Sequence, residues 1–508
     1  MANRLRARRT LGATLLASAV VLGFGAPALA QQNDAITVVQ EQEPDTLDPC
    51  ELTKKNVGMV IRENIVETVT EINQQTGKVD PRLAESWSTI DDTTWRFKLR
   101  PGVKFHDGKP LNAAAFIQAF KRMMDPNLSC SNRVLYFEGM GVDLTAVDDL
   151  TVDVKTPQPS PIMPVLMSMV GIESPATDAH ALVRNPVGTG PYRLAEWASG
   201  RSITTERNPD YWGEKPQVGK VTYVFREEPA VRAAMVANGE ADISPVIAPQ
   251  DATNKDTDHS YLNSETVRLR FDIGKPPLDD IRVREAINYA LDRQAMLGTV
   301  FSASWQPAKN MVMPTINGYN DAVPFWPYDP DKARALIAEA RAAGVPVDNE
   351  ILLIVNSGSP GGTEAPTVMI EMLKDAGLNV RLQILESAEF YKFFYKPFGD
   401  GQPANILFES HDNNSGDAGF TLVGKYASWG GTSKLNDAEV DSEIKRGLAA
   451  TDPERSAIFR GVFEKVHDMA VDAVLYHQTT DTRIGPRITY TPTAATNQEL
   501  QISQIKFK

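Results

Sequence analysis

The stretch from residue 351 to residue 409 alternates short apolar runs with amphipathic segments, and this alternation constrains the fold more than any other feature. The apolar runs are ILLIVN, NVRLQIL and NILFE. Between them lie a helical pattern that runs through Val368 and Leu373 to Gly377, and a short aromatic pattern, AEFYKFFY. Strands that alternate with helices form βαβ units, whose parallel strands are buried on both faces. The sequence therefore predicts an α/β fold around a mostly parallel sheet.

Several helix starts can be identified from a short polar residue in front of an amphipathic run. Asp329-Pro330 precedes DKARALIAEARAAG, and Asp452-Pro453 precedes ERSAIFRGVFEKVHDMA. Asp and Asn accept hydrogen bonds from the free amides of a first helical turn, and proline is favoured at the first helical position. In the same way we predict that Asp280 and Asn436 cap the helices that follow them.

The first half of the chain is more mixed. AITVVQ, TWRFKLR and TVDVKT alternate like strands, whereas NAAAFIQAFKRMM and EPAVRAAMVANG are typical of helices. About 478 residues remain after the leader described next, more than one hydrophobic core usually organises, so we expect two or three domains. Because no long linker or repeat separates them, the domains are expected to pack together.

The first thirty residues are typical of a cleaved export signal. Four arginines (Arg4, Arg6, Arg8 and Arg9) precede an apolar run over 11–24 that is too short to span a bilayer. The small residues Ala28 and Ala30 predict cleavage after Ala30, a mature chain that begins at Gln31, and a periplasmic location. Arg8-Arg9 also fits a twin-arginine signal, so both export routes stay open. No cysteine lies at the cleavage point, which argues against a lipid anchor.

The charge of the mature chain restricts its partners. Removal of the four leader arginines lowers the net charge from −13 to −17. Nucleic-acid binding depends on lysine and arginine that neutralise phosphates, so this balance argues against it and against an anionic membrane surface. No later segment is apolar enough to span a bilayer. We expect a soluble monomer without a membrane anchor.

The chain has two cysteines, Cys50 and Cys130. In an exported protein an even pair is a candidate disulfide, and two buried free thiols are the alternative. The two alone would make an incomplete zinc site, because a structural zinc ion takes four ligands.

The sequence has none of the common catalytic motifs. It lacks a His-Glu-x-x-His pair, a Gly-x-Ser-x-Gly elbow and a Walker loop. His106-Asp107-Gly108 is interpreted as a turn between a strand and a capped helix. We expect a protein that is not an enzyme and that holds no cofactor. The alternative from another class is a secreted hydrolase that uses Asp412 and Asp417 as acid and base.

Five segments together resemble the family 5 solute-binding proteins, the oligopeptide-, dipeptide- and nickel-binding receptors of ABC importers. The segments are EQEPDTLDP, PRLAESWSTIDDTTWRFKLRPGVKFHDGKPLNA, NPVGTGPYRLAEWASG, RNPDYWGEKP and PPLDDIRVREAINYALDR. The resemblance covers almost the whole mature chain. It implies a two-lobed clamshell with an extra α+β subdomain, a solute enclosed between the lobes, and delivery of that solute to the permease subunits of an ABC transporter.

By analogy with this family, the chain divides into four parts. Residues 1–30 are the signal peptide, and residues 31–55, 182–272 and 476–508 form the first lobe. Residues 56–181 form the added subdomain, and residues 273–475 form the second lobe. The hinge is then expected near Phe271-Asp272 and near Tyr476-His477.

The same resemblance places a ligand-binding turn after the strand NILFE. In peptide-binding members that strand ends in a tryptophan, and an acidic turn holds the α-ammonium group of the peptide. Here His411 stands at the tryptophan position. Asn414 replaces the ammonium-binding aspartate when the sequences are matched without a gap, and Asp412 could serve when one is introduced. A neutral amide cannot pair with a cation as a carboxylate does.

The candidate ligand-binding residues are therefore Glu41, Glu43, Ser410, His411, Asp412, Asn413, Asn414 and Asp417. The alternative is that the turn is an Asx turn exposed to solvent. His411 could also coordinate nickel, but no other histidine clusters with it in the sequence. The loop NSGSPGGTEAP has no arginine where dipeptide-binding relatives hold a carboxylate, and its small polar residues suit a polar or anionic solute. Peptides, opine-like sugar conjugates and metal chelates all remain open as solutes.

Overall fold

The structure is a computed structural model that describes residues 34–73, 75–359, 362–398, 401–413 and 415–508. Ala35–Lys508 forms one compact unit. The predicted leader, the cleavage site and Asn414 lie outside the described residues.

The first part of the chain builds short strands and three helices. They are β1 (Ala35–Gln40), α1 (Lys55–Ile61), β2 (Glu67–Thr68), β3 (Thr70–Ile72), β4 (Val79–Pro81), β5 (Ala84–Asp91), β6 (Thr94–Leu99), α2 (Ala113–Met123), β7 (Asp143–Ala146), β8 (Thr151–Lys155), α3 (Met163–Leu166) and β9 (Gly171–Ile172). Strands β5, β6, β8 and β7 form a separate antiparallel sheet. Its inward side chains and α2 share one apolar core around Phe97 and Phe116. Cys50 and Cys130 are joined by a disulfide at the edge of this core, with 4.7 Å between their Cα atoms.

The next part supplies strands of the main sheet. They are β10 (Tyr192–Ala198), β11 (Ser202–Arg207), β12 (Lys220–Phe225), α4 (Pro229–Ala237), β13 (Ile243–Ile247) and the long β14 (Asp258–Phe271). β1 runs parallel to both β12 and β13, so the carboxyl ends of these three strands lie at one edge. We call this half of the sheet, β10 to β13 with β1, lobe I.

Among the remaining elements, those from Ile351 to Asp412 alternate between strand and helix as the sequence predicts. The remaining elements are α5 (Ile281–Ala290), α6 (Arg293–Met296), β15 (Gln306–Pro307), α7 (Pro330–Ala342), β16 (Ile351–Asn356), α8 (Glu364–Asp375), β17 (Val380–Leu385), α9 (Ser387–Phe394), β18 (Asn405–Asp412), α10 (Ala418–Tyr426), α11 (Ala438–Ala449), α12 (Glu454–Asp468), β19 (Asp472–Ile484), β20 (Ile488–Thr489) and β21 (Lys506–Phe507). β16 is parallel to both β17 and β18, which confirms the predicted βαβ units. We call this half, β16 to β18 with its helices, lobe II.

Two predicted helix caps are confirmed and one is wrong. The carboxylate of Asp329 accepts the Lys332 amide, and that of Asp280 accepts the Arg282 amide. The cap of α11 is Asp437 instead of Asn436, because Asp437 has the extended backbone from which a side chain reaches the first-turn amides. The fourth predicted cap, Asp452, lies one residue further from its helix than predicted, since α12 begins at Glu454, but its carboxylate still accepts the Ser456 amide at 3.2 Å.

The two lobes share one eleven-stranded sheet with β19 and β14 at its centre. Both long strands cross from lobe I to lobe II and pair with each other along most of their length. Their register shifts between Leu262 and Thr266, and Ser264 within this bulge has a left-handed φ of 69°. The predicted hinge residue His477 pairs with Thr266 beside the bulge, whereas Phe271 pairs with Ile406 at the end of β14.

Candidate functional site

The predicted binding residues lie at two strand ends that face the crossing strands. β1 ends at Gln40 and is followed by Glu41 and Glu43, on the lobe I side. β18 carries Ser410, His411 and Asp412 at its own carboxyl end, on the lobe II side. Carboxyl ends of parallel strands are where open α/β sheets place their ligand sites.

The lobe I strand ends enclose a small cavity of about 100 Å³. Its lining residues include Gln40 at the end of β1, Glu41 just after it, Lys55 and Met59 from α1, Arg232 from α4 and Val246 from β13. The Lys55 Nζ atom lies 3.6 Å from the nearest carboxylate oxygen of Glu41. Glu41 is therefore placed at the mouth of a pocket that also holds two cationic side chains.

Glu43 lies outside that cavity and already has partners. Its carboxylate accepts the indole N–H of Trp197 at 2.6 Å and the backbone amide of Gly200 at 2.8 Å. Arg184 stacks on the Trp197 ring and lies 4.0 Å from the same carboxylate. These contacts tie the segment after β1 to the β10–β11 turn, so the structure gives Glu43 a supporting role.

On the lobe II side, Ser410 meets a carboxylate of the crossing strand β14. Ser410 pairs with Val267, so its side chain is a diagonal cross-strand neighbour of Glu265. Burial raises the pKa of Glu265, and the Ser410 side chain and the positive charge of Lys55 oppose the rise. Glu265 thus stands between the lobe II strand end and the lobe I cavity.

His411 is held as a neutral imidazole. Its Nε2 atom is 2.8 Å from the Thr421 hydroxyl, and its ring stacks on Phe420 at 5.8 Å. Burial, together with the charges of Lys425 and Arg268, holds the pKa of His411 well below its usual range. The ring of Tyr136 packs against Phe420 as well, with 6.1 Å between the ring centres. This contact joins the region of the antiparallel sheet to lobe II.

The carboxylate of Asp412 connects three parts of the chain. It accepts the Ser264 hydroxyl at 2.5 Å and the Gln498 amide N–H at 2.8 Å. Ser264 belongs to the bulge of β14, and Gln498 lies in the C-terminal segment. Asp412 therefore holds the end of β18 to the point where the strands cross.

Asn413 and Asp417 are buried inside the turn. The Asn413 amide donates to the Asp417 backbone carbonyl at 3.1 Å and to the Thr421 hydroxyl at 2.7 Å. The Asp417 carboxylate forms a two-pronged ion pair with Arg455 at 2.7 and 2.8 Å, and it caps α10 through the Gly419 amide. Both side chains are saturated by the protein itself, so they shape the turn from within.

Sequence reasoning did not identify Gln40, Lys55, Arg232 and Glu265, which the structure brings to the same region. Lys55 follows a second lysine, Arg232 lies in an ordinary amphipathic helix, and Glu265 lies in a strand. The sequence therefore carries no signal that separates them from exposed charges. Their positions follow from the sheet order, which sets β1 beside β13 and β19 beside β14.

In the part of the chain that the structure describes, no three histidine, cysteine or carboxylate side chains are grouped as metal ligands. Within the same ranges no helix is both long and apolar enough to cross a bilayer.

Two lobes on one sheet, with polar strand ends that face each other across crossing strands, define the two-lobed fold of the periplasmic binding proteins. The chain belongs to the bacterial extracellular solute-binding proteins, family 5, whose middle region matches residues 78–433.

Individual relatives extend this match over nearly the whole chain. The dipeptide-binding protein of Escherichia coli (strain K12) is 28% identical over 506 residues, 92% of each chain. Di/tripeptide-binding protein 2 of Pseudomonas aeruginosa (strain UCBPP-PA14) is 26% identical over 498 residues, 89% of this chain and 91% of that protein. The solved structure of HbpA2 from Haemophilus parasuis superposes with a TM-score of 0.83 at 19% identity, and covers 93% of this chain and all of that one.

Proposed function

We propose that this protein is the exported solute receptor of an ABC importer, which encloses a short peptide or peptide-like solute between its lobes and delivers it to the permease. Family membership supports the class, and the names of the dipeptide- and di/tripeptide-binding relatives support peptides as the solute. The alternatives, opine-like conjugates and metal chelates, share the polar character that such a cleft requires.

One observation carries the proposal: a run of polar side chains spans the two lobes at the strand ends. Lys55 lies 3.6 Å from Glu41, its charge acts on Glu265, and Glu265 is a diagonal cross-strand neighbour of Ser410. A solute that binds members of this run touches both lobes at once. Such a solute favours the closed arrangement, because its contacts are complete only when the lobes meet.

Glu265 is the best placed partner for an ammonium group on the solute. The carboxylates of Asp412 and Asp417 are engaged by Gln498 and Arg455 respectively, whereas the neighbours of the Glu265 carboxylate are the Ser410 side chain and, through its charge, Lys55. An ammonium group beside Glu265 would stabilise its charged form and offset the burial that raises its pKa. We therefore assign to Glu265 the role that the sequence suggested for Asn414 or Asp412.

The hydrolase alternative has little support. A glycosidase needs two carboxylates that flank a cleft and remain available to exchange protons. Asp417 is buried against Arg455, and Asp412 accepts hydrogen bonds on both oxygens. The relatives compared above are binding proteins.

The test begins with the solute itself. Mass spectrometry of protein purified from its native host under gentle conditions should reveal a bound peptide or peptide-like molecule. A panel of dipeptides and tripeptides should then raise the melting temperature, because a ligand that binds only the native state stabilises it by about 2.7 kcal/mol at a hundredfold excess over Kd. Failure of every peptide to shift the melting temperature, with a non-peptide molecule in the purified protein, would reject the peptide assignment and keep the receptor class.

A further inference from the structure

The cavity at the lobe I strand ends has the size of one functional group. Its volume is about 100 Å³, and a cavity of about 150 Å³ is enough for benzene. Three to five non-hydrogen atoms therefore fit, as in a carboxymethyl or carboxamide group. Val39, Met59, Pro245 and Val246 supply apolar walls, so an entering group loses most of its water.

Two polar side chains in the wall have unused hydrogen-bonding capacity. Gln40 is 3% exposed, and within the described residues neither its amide nitrogen nor its amide oxygen has a partner. Arg232 donates from Nε to the Val246 carbonyl and from one terminal nitrogen to the carbonyls of Arg226 and Glu227. Its other terminal nitrogen makes no hydrogen bond with any residue that the structure describes. A buried polar group without a partner costs stability, which a suitable ligand restores.

The side chains that line the cavity carry one net positive charge. Lys55 and Arg232 contribute two positive charges, and Glu41 contributes one negative charge. Burial lowers the pKa of Lys55 although Glu41 lies 3.6 Å away. Burial likewise lowers the pKa of Arg232 although the carboxylates of Glu41, Asp251 and Glu228 lie within range. Glu265 also acts on Lys55 through its charge, so an entering carboxylate competes with these surrounding carboxylates for the two cations.

We infer that this cavity is a carboxylate subsite, which takes the C-terminal carboxylate or an acidic side chain of the solute onto Lys55, Arg232 and Gln40. Glu41 occupies the mouth of the subsite in the empty protein. Its side chain is 45% exposed, so it can turn into water when the solute carboxylate replaces it beside Lys55. This inference rests on the proposed function, because it places the ammonium group of the solute beside Glu265 and its carboxylate in the lobe I cavity.

The test uses paired peptides that differ in one group. Ala-Ala and Ala-Ala amide, and Ala-Asp and Ala-Asn, are titrated by calorimetry into the wild-type protein and four variants. Lys55→Met and Gln40→Leu should weaken binding of the free-acid peptides by about tenfold or more, the range for a hydrogen bond to a charged group. The amidated peptide should be affected much less. Glu41→Gln should strengthen free-acid binding by about two- to fivefold, because it removes an exposed competitor.

Lys54→Met is the matched control. Lys54 precedes Lys55, is 57% exposed and pairs with Glu51 away from the cavity, so its removal should leave all affinities unchanged. Equal losses for acid and amide peptides in Lys55→Met, or no loss for either, would overturn the subsite. If Gln40→Leu does not fold, the opposite effects of Lys55→Met and Glu41→Gln still decide it.

A result in which no peptide binds the wild-type protein separates the two proposals. It would reject the peptide assignment above. The subsite is then tested by thermal shift with acetate and succinate, and acetamide is the uncharged control. A thermal shift with the carboxylates that is lost in Lys55→Met would support the subsite. No shift with any carboxylate would overturn it.

Discussion

Asp417 was predicted to contact the solute, and the structure instead predicts that its removal destabilises the empty protein. Asp417→Ala removes both bonds to the buried Arg455 and the cap of α10. Breaking a buried ion pair from one side costs about 3–5 kcal/mol, and loss of a helix cap costs about 1 kcal/mol. We therefore expect the free energy of unfolding to fall by about 4–6 kcal/mol.

Asp437→Ala separates the two contributions. Asp437 caps α11 through the amides of Glu439 and Val440, and none of the described residues forms an ion pair with it. Its loss should cost about 1 kcal/mol, the value of a cap alone. Urea unfolding of both variants without solute measures the difference, and titration of the folded fraction measures affinity. Equal stability losses in the two variants would refute the buried pair, and a stable Asp417→Ala protein that no longer binds solute would restore the predicted ligand role.

Three further predictions concern the whole chain. The mature protein should begin at Gln31 and show no free thiol on titration after unfolding, since Cys50 and Cys130 are joined; two titratable thiols would contradict the disulfide. Burial lowers the pKa of His477 to about 4, so the unfolded chain, with a histidine pKa of about 6.5, takes up a proton first as the pH falls. Between pH 7 and pH 4 this should cost the folded state about 3 kcal/mol, with no loss above pH 7, and denaturant unfolding should show that His477→Gln lacks that part of the pH dependence. Saturating solute should contract the protein in small-angle scattering, and an unchanged radius of gyration would exclude closure of the lobes.

Much of the fold could be predicted because its signals are local. The βαβ alternation of 351–409 and the caps at Asp280 and Asp329 depend only on residues within one or two turns. The error at Asn436 has the same local origin. Two neighbouring polar residues can both cap, and the backbone angles of Asp437 decide between them.

The sequence predicted the strand ends at which the candidate site lies, but not which side chains there are available to a solute. Glu43 and Asp417 have the same chemistry as Glu41 and Glu265, and the sequence does not show that Trp197 and Arg455 already engage them. Those partners lie 154 and 38 residues away along the chain. Which carboxylate is free for a solute is therefore a property of tertiary packing, whereas the strand end that carries it is a property of local sequence.

The bulge at Ser264 has a mechanical consequence. Because β14 and β19 run through both lobes, neither lobe can slide along the other without breaking the hydrogen bonds of two long strands. At residues 263–265 the ladder is already interrupted, with three residues of β14 opposite the single Gln478 of β19. Bending at this point leaves the pairing on either side intact. A second register shift lies close by, between Val267 and Arg268. We therefore expect the sheet to bend in this short section, so that the intact pairing on either side returns the strand ends to the same register at each closure.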